Sequence, residues 1–304
     1  MKDSIIITDV AIRDGLQNQR LIVSTDAKIK MAHMLADAGV RSIEAASFVS
    51  PKHVPQMADA EEVIRALKDW GRVSALTPNV RGLERAISAG VQEVAVVMSA
   101  TDTMNRKNLN MSLVETLRVS KEVLQTACAL NIRTRAYVAV AFECPFEGVT
   151  PPAQVLSLCE SLRDAGANEV VIADTIGAAA PGQVSSLMNA ALRQMPADLL
   201  SVHFHDTRGM GVANAWAALQ AGVHRFDSCV GGIGGCPFAP GAAGNLATED
   251  LVLMAEQSGF STGVDLEKLL HVVDFAQEKL QAQLGGNSSR WLRQRRLKAQ
   301  MGRD

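Results

Sequence analysis

Short apolar runs alternate with longer amphipathic stretches along the whole chain. The strand-like runs are Ser4–Val10, Arg41–Ala46, Arg72–Leu76, Glu93–Met98, Ile132–Ala141, Glu169–Ala173, Leu199–His205 and Arg225–Val230. The main helix-like stretches between them are Thr25–Ala38, Gln56–Trp70, Leu83–Ala89, Ser112–Leu130, Pro152–Ala165, Pro181–Met195 and Gly211–Ala221. Four of these helices end on Ala-Gly directly before an apolar strand, which is a common helix stop. The pattern therefore predicts eight consecutive βα units.

Eight βα units in 304 residues predict an α/β fold, specifically a closed (β/α)8 TIM barrel. The alternative is an open doubly wound sheet. That fold usually carries a GxGxxG fingerprint after its first strand, whereas this chain has Ala11-Ile12-Arg13-Asp14-Gly15 there. We expect a single catalytic barrel domain over residues 1–304. Its residues 262–304 would form a C-terminal helical extension, with a helix over Asp265–Leu284, and a basic tail.

Composition narrows the possible partners and the compartment. The chain has 30 basic and 32 acidic residues and a net charge of −2, so we predict no nucleic-acid partner. The sequence has no signal-peptide pattern and no run of roughly 20 apolar residues, so we expect a cytoplasmic protein with no membrane partner. The basic side chains that do cluster lie near the C-terminus, and we interpret them as a solvated end: Arg290, Arg293, Arg295, Arg296, Lys298 and Arg303.

The cysteines argue against a disulfide framework and against a structural zinc site. They are odd in number and irregularly spaced, and no CxxC pair occurs. The five are Cys128, Cys144, Cys159, Cys229 and Cys236.

Polar side chains lie at or near the predicted strands, and functional residues of TIM barrels gather at the carboxyl ends of the strands. The first strand leads into Arg13 and Asp14. Glu44 and Ser47 belong to the second strand, Arg135 to the fifth, Asp174 to the sixth, and His203 and His205 to the seventh. The eighth strand leads into a glycine-rich segment that contains Cys236 and Asn245.

A metal site is the most specific hypothesis from these residues. His203 and His205 are two positions apart on a strand and so point to the same face. Two imidazoles with the Asp14 carboxylate make a reasonable divalent-metal site, and Asn245 could add a neutral oxygen ligand. The alternative is a pair of core histidines, with Asp206 serving only as a helix N-cap.

Arg13, Asp14 and Glu44 each have a structural alternative. Arg13-Asp14 could be a turn with a local ion pair. Glu44 lies within the apolar strand Ile43–Ala46, where a carboxylate is costly unless it is paired or functional. An ion pair with an arginine of the barrel floor would satisfy it.

The glycine-rich segment from Gly231 to Asn245 is the most distinctive stretch of the chain. Its glycines permit backbone conformations that other residues avoid, so it could act as a lid over a site. Cys236 in its middle could serve as an acid, a base or a nucleophile, or could be an inert small residue.

These stretches together resemble the hydroxymethylglutaryl-CoA lyases, within a wider group of barrel metallolyases and Claisen-type synthases. The resemblance covers about residues 5–270. The matching stretches are IRDGLQNQ at 12–19, IEAASFVSPKHVPQMAD at 43–59, RAYVAVAFECPFEG at 135–148, ADTIGAAAPG at 173–182, VHFHDTRGMGVANAWAALQAGV at 202–223 and DSCVGGIGGCPFAPGAAGNLATEDLV at 227–252.

The resemblance implies a role for each matching position. It implies that Asp14, His203, His205 and Asn245 bind Mg²⁺ or Mn²⁺, which favour oxygen-rich sites. It also implies that Arg13 lies against the thioester carbonyl and that Arg135 and Ser47 contribute to substrate binding. Glu44 and Asp174 would then maintain the polar network around the substrate, and Cys236 would be the catalytic thiol.

The implied reaction is cleavage of (S)-3-hydroxy-3-methylglutaryl-CoA to acetyl-CoA and acetoacetate. The metal would chelate the C3 hydroxyl, Arg13 would face the enolate, and Cys236 would protonate the enolate carbon. The base that removes the hydroxyl proton stays open among Asp14, Glu44 and a water on the metal. We expect a homodimer with an acyl-CoA substrate.

The chain departs from the family pattern at a few positions. Ala11-Ile12 replaces the usual Gly-Pro before Arg-Asp, and Arg208 and Met210 replace the usual tyrosine and glutamine after the histidines. An alternative is therefore the same chemistry on citramalyl-CoA or a longer 3-hydroxy-3-alkylglutaryl-CoA. Two further alternatives are a Claisen-type synthase and a non-catalytic barrel that binds CoA.

Overall fold

A computed structural model describes residues 3–235 and 244–301, with side chains described through residue 298. Eight parallel strands close into a barrel in the order β1-β10-β9-β8-β5-β4-β3-β2, as predicted, and β6 and β7 form a separate small hairpin. The strands are β1 Ile6–Asp9, β2 Ser42–Ser47, β3 Arg72–Leu76, β4 Glu93–Ser99, β5 Arg133–Ala139, β6 Glu143–Cys144, β7 Gly148–Val149, β8 Glu169–Asp174, β9 Leu200–Phe204 and β10 Arg225–Ser228.

Helices surround the barrel and occupy most of the connections between its strands. The α-helices are α1 Thr25–Asp37, α2 Ala60–Ala66, α3 Val80–Ser88, α4 Asp102–Leu109, α5 Leu113–Ala129, α6 Pro152–Asp164, α7 Pro181–Leu192, α8 Gly211–Ala221, α9 Thr248–Gln257, α10 Leu266–Leu280 and α11 Ser289–Met301. Short 3₁₀ turns cover Pro55–Met57, Ala197–Leu199 and Val230–Gly232, and a π-helix covers Ala11–Gly15. None of the helices in the described ranges is long and apolar enough to cross a membrane.

Two helix predictions differ from the structure. The helix predicted over Gln56–Trp70 is the shorter α2, preceded by a 3₁₀ turn, because Pro55 favours a tight first turn. The predicted α-helical segments did not include α4 or α9. Most of the basic tail, which we interpret as a solvated end, forms α11, whose described basic side chains are exposed or half-buried; Arg293 pairs with Asp274 at 2.5 Å.

Local sequence signals explain where the longer helices begin and end. Ser112 caps α5 by accepting a bond from the Glu115 amide, and the Glu115 carboxylate accepts a bond from the Ser112 amide. This reciprocal capping box fixes the first turn of the helix. At the end of α1, Gly39 has a φ of +99°, and a Cβ there would collide with the Gly263 carbonyl. Both facts require glycine at this helix stop.

The interior of the barrel is unusually polar. The main apolar core lies between the strands and the helices, whereas a small apolar cluster inside the barrel contains Leu76, Ala95, Tyr137 and Val171. TIM barrels usually fill their interior with layers of branched apolar side chains. Here alternate strand positions carry charged groups, such as Arg133 and Arg135 on β5. The barrel is therefore filled largely by ion pairs, and these extend upward to the carboxyl ends of the strands.

Candidate active site

A cavity of about 180 Å³ opens at the carboxyl ends of the strands. Its wall includes Arg13, Asp14, Tyr137, His203 and His205. These residues come from the π-helix after β1, from β5 and from the end of β9. The structure therefore brings together residues that are far apart in the sequence, at the end of the barrel where TIM-barrel sites lie.

Asp14, His203 and His205 form a potential metal site. One ligand atom from each side chain can be chosen so that all three lie within 4.8 Å of one another. Asn245 lies beside them. Its side-chain Nδ2 donates hydrogen bonds to Asp14 Oδ2, at 2.9 Å, and to the Ile233 carbonyl, at 3.0 Å. Within the described part of the chain, the buried Asn245 Oδ1 and His205 Nδ1 have no hydrogen-bond partner. Buried polar atoms are rarely left unpaired. The unpaired Asn245 oxygen, with one carboxylate and two imidazoles, fits a divalent cation.

Backbone pairing with β9 positions Asn245. His205 and Asn245 form an isolated antiparallel bridge. The Asp206 amide donates 3.1 Å to the Gly244 carbonyl, and the Leu246 amide donates 2.9 Å to the Phe204 carbonyl. The end of the glycine-rich segment is therefore fixed to the strand that carries both histidines.

Arg13 lies between two carboxylates. Its guanidinium donates to Glu44 and, at 2.7 Å, to Asp14, and it lies 5.8 Å from the centre of the Tyr137 ring. Burial alone would lower the pKa of Arg13, but the Glu44 and Asp14 carboxylates outweigh it, and the pKa lies above its ordinary value. Arg13 is 7% exposed and lines the cavity, so it presents a permanent positive charge there.

The two carboxylates on Arg13 differ in their electrostatics. Burial raises the pKa of Asp14, but Arg13 and the two histidines outweigh it, so the pKa lies below its ordinary value. An ionised Asp14 suits a metal ligand. Burial dominates at Glu44 and raises its pKa despite Arg13. The arginine that pairs with Glu44 is Arg13 of the cavity wall, not an arginine of the barrel floor.

Asp227 orients His203 from below, and sequence reasoning missed it. The His203 Nδ1 atom lies 3.3 Å from Asp227 Oδ2, which also accepts a bond of 2.8 Å from the Tyr137 hydroxyl. Burial acts to raise the pKa of Asp227, but Arg135 and His203 lower it further, well below its usual range. A carboxylate behind a metal-binding histidine fixes the orientation of its ring. The signal was available, because Asp227 lies within a strand just as Glu44 does.

Asp9 is a second carboxylate that the sequence did not single out. Its oxygens accept bonds from the Ala11 amide at 2.9 Å, the Val230 amide at 2.8 Å and the Thr248 hydroxyl at 2.7 Å. It therefore joins the start of the π-helix to the base of the glycine-rich segment. Burial raises the pKa of Asp9 to about 6.

Glu44 and Asn245 contact residues of the cavity wall without belonging to it, and three further residues singled out from the sequence also lie outside it. Arg135 is 1% exposed and its guanidinium is held by Glu169 and Asp227. Asp174 accepts bonds from the Ala178 and Ala179 amides at 2.8 and 3.0 Å. Ser47 is fully buried. Cys236 lies outside the described residues.

Arg208, a departure from the family pattern, is engaged with the backbone. Its guanidinium donates to the carbonyls of Gly177 at 2.9 Å and Ala179 at 3.1 Å, and to that of Ala178. The amides of Ala178 and Ala179 bind Asp174, so Arg208 and Asp174 hold opposite sides of the same loop. Much of the donor capacity of this cation is therefore used by the protein itself.

Comparisons with known proteins agree with this geometry. The family model described as HMGL-like matches residues 4–276. The mitochondrial hydroxymethylglutaryl-CoA lyase of Rattus norvegicus is 46% identical over 271 residues, which cover 88% of this chain and 83% of that protein.

Two solved structures are similar over nearly their whole length. The HMG-CoA lyase of Bacillus subtilis superposes with a TM-score of 0.92 at 43% identity, covering 96% of this chain and 98% of the other. An HMG-CoA lyase from Acinetobacter baumannii, solved with coenzyme A and 3-methylmalate, gives a TM-score of 0.89 at 37% identity, covering 95% of both chains.

Proposed function

The chain belongs to the HMGL-like family, and from this premise we propose that it is a lyase that cleaves (S)-3-hydroxy-3-methylglutaryl-CoA to acetyl-CoA and acetoacetate. The observation that carries the proposal is the assembly of Arg13, Asp14, His203 and His205 in the wall of one cavity, with the Asn245 side chain hydrogen-bonded to Asp14. The relatives named for this reaction, 45 to 46% identical over most of the chain, support the choice of substrate.

Asp14, His203, His205 and Asn245 would hold the metal ion, Mg²⁺ or Mn²⁺. The support is the unpaired Asn245 oxygen beside an ionised Asp14 and two imidazoles. Such an ion would acidify and orient the C3 hydroxyl of the substrate. Asp227 would hold His203 in place during turnover through its contact with Nδ1.

Arg13 would stabilise the charge that develops in the reaction. A base, which stays open among Asp14, Glu44 and a water on the metal, would take the C3 hydroxyl proton. The C2–C3 bond would then break and leave the hydroxyl carbon as the ketone of acetoacetate. The bonding electron pair moves to C2 and delocalises onto the thioester oxygen as an enolate. Arg13 is charged at any physiological pH and lines the cavity, so it is suited to neutralise this oxygen.

Cys236 would return a proton to C2 and complete acetyl-CoA. This role rests on the resemblance alone. A free thiol has a pKa of about 8.5, so Cys236 would begin the cycle protonated. In the same proposal, Glu44 holds Arg13 in position, and Asp174 orders the loop at 178–179. Arg135 and Ser47 would contribute to substrate binding from outside the cavity wall.

A coupled assay tests the reaction directly. Purified protein is supplied with hydroxymethylglutaryl-CoA and Mg²⁺ or Mn²⁺, with and without EDTA. Equal amounts of acetyl-CoA and acetoacetate, abolished by EDTA, are the expected result. Turnover of citramalyl-CoA or a longer 3-hydroxy-3-alkylglutaryl-CoA, with none of hydroxymethylglutaryl-CoA, would keep the chemistry and move the substrate. No turnover of any of these would overturn the proposal.

The proposal also includes the assembly and the location. We propose a homodimer of the 32.4 kDa chain, acting as one catalytic domain in the cytoplasm without nucleic-acid or membrane partners. Light scattering should give twice the chain mass. A monomeric mass at working concentration would remove the dimer from the proposal.

A further inference from the structure

A second cavity lies at the opposite end of the barrel, where the strands begin. Its volume is about 500 Å³, within the usual range for small-molecule sites. Four arginines contribute to its wall: Arg41, Arg72, Arg133 and Arg225. Glu93 is the acidic residue in the wall. We call this cavity the floor cavity.

Arg72 and Arg135 already bind the acidic groups of the floor. Arg72 donates to both oxygens of Glu93, at 2.5 and 2.6 Å, and donates 2.8 Å to Glu169. Glu169 also binds Arg135, at 2.8 Å, from the layer above. Bidentate pairs of this kind use most of the acceptor capacity of a carboxylate.

Three arginines of the floor cavity keep much of their donor capacity. Arg133 is 57% exposed and its Nε atom lies 3.8 Å from Glu93, beyond hydrogen-bond distance. Arg225 Nη1 lies 3.5 Å from Glu169 Oε2, at the limit of a hydrogen bond. Arg41 makes a long contact of 3.4 Å to the Ala36 carbonyl.

The charges in this part of the barrel do not balance. The four floor arginines and Arg135 carry five positive charges, whereas Glu93, Glu169 and Asp227 carry three negative charges. The floor therefore has a surplus of two positive charges around one cavity. Mutually repelling guanidiniums that share a cavity are stabilised by an anion, which their planar forks bind through paired hydrogen bonds.

We propose that the floor cavity binds a small doubly charged oxyanion, either phosphate or a short dicarboxylate, through Arg41, Arg133 and Arg225. Such a ligand cannot touch the reacting substrate. On β5, Arg133 borders the floor cavity and Tyr137 borders the upper one. Four residues of a strand separate their Cα atoms by about 13 Å. The site is therefore independent of the proposed function.

Direct binding to the unmodified protein is the first test. Isothermal titration in EDTA, with inorganic phosphate in one arm and succinate in the other, should give a saturable isotherm with one site per chain for at least one of them. Tight binding of phosphate alone, or of succinate alone, would identify which chemistry the cavity prefers. If neither anion binds in the millimolar range, the proposal is wrong.

Paired variants locate the binding. The double variant Arg41→Gln with Arg133→Gln should weaken binding at least tenfold, because it removes two of the three arginines proposed to bind the anion. Both side chains are exposed and few contacts hold them, so the variant should fold. The control variant Arg65→Gln with Arg118→Gln removes the same charge from exposed helix positions away from the cavity and should bind as the wild type. Equal weakening in both would assign the effect to net charge and overturn the site. The wild-type isotherm decides the question even if the double variant does not fold.

Discussion

Replacing Arg135 with glutamine tests the buried charge network of the barrel. The wild-type guanidinium donates to Glu169 at 2.8 Å, to Asp227 at 2.7 Å and to the Tyr137 hydroxyl at 3.1 Å. Both carboxylates are at most 2% exposed, so water cannot replace the lost partner. Glutamine is shorter and neutral, and it would leave at least one buried carboxylate without a counter-charge.

The structure gives the size of the expected effect. Removing one partner of a buried ion pair costs about 3–5 kcal/mol. At an unfolding entropy of about 2.1 cal/mol/K per residue, a chain of 304 residues should lose roughly 5–8 °C in Tm. Arg135→Lys keeps the charge but loses the planar fork, so its loss should be smaller.

The pH dependence of this loss identifies its cause. Burial raises the pKa of Glu169, but Arg135 and Arg72 outweigh it, so its pKa lies below the ordinary value. The paired Glu169 therefore stabilises the wild type above its unfolded pKa, and that contribution is lost as the pH falls through the folded pKa. Without Arg135 the folded pKa of Glu169 rises, although Arg72 still contacts it at 2.8 Å. We therefore expect a smaller deficit at about pH 5 than at about pH 8, because protonation removes part of the buried charge.

Calorimetric scans of the metal-free wild type and of both variants at the two pH values provide the measurement. A Tm change under about 2 °C at both pH values would refute the assignment of Arg135 to the buried network. A raised KM with an unchanged Tm would instead support direct substrate binding by Arg135.

The other predictions concern the upper cavity, which is the cavity lined by Arg13, Asp14 and the two histidines at the carboxyl ends of the strands. His205→Ala should lose metal affinity, measured by titration with Mn²⁺, and almost all turnover; near-normal activity would remove His205 from the ligand set. Cys236→Ser should fold and bind metal but turn over about 100-fold more slowly or worse, and a wild-type rate would exclude the thiol as the acid. Gly234→Ala should weaken Mn²⁺ binding, because the new Cβ would lie 2.6 Å from Asn245 Nδ2 at a φ of +139°. The control Gly182→Ala, where a Cβ meets nothing within 4 Å, should bind Mn²⁺ normally.

The barrel could be predicted from the sequence because most of its strands lie within short runs rich in apolar residues. The Ala-Gly stops at Gly39, Gly90, Gly166 and Gly222 marked four helix ends, and all four glycines have positive φ values. The weaker elements gave no such signal. The α4 helix reads DTMNRKNL, which is mostly polar, and only Met104 and Asn105 of it are buried. A helix without an apolar face cannot be found from hydrophobic periodicity.

The sequence pointed to the side chains that cluster at the cavity better than to the residues that support them. His203, His205 and Asp14 stood out because two histidines shared a strand face and a carboxylate followed another strand. Tyr137 was overlooked, because an aromatic residue in an apolar strand looks like ordinary core. Its hydroxyl nevertheless contacts both Glu44 and Asp227, at 3.2 and 2.8 Å. Such contacts depend on the register between strands, which the sequence of a single chain does not reveal.

The same ion-pair chain constrains how this barrel can change over evolution. Contacts of charged and phenolic groups run without a break from the floor cavity to the upper cavity, through Arg72, Glu169, Arg135, Tyr137, Glu44 and Arg13. Exchange of one charged member removes a partner of opposite charge from its buried neighbour, whereas joint exchange of an acid and its base for well-packed apolar residues can be neutral or even stabilising. The interior should therefore drift in coupled steps, and a redesign of it should treat each acid–base pair as a single unit.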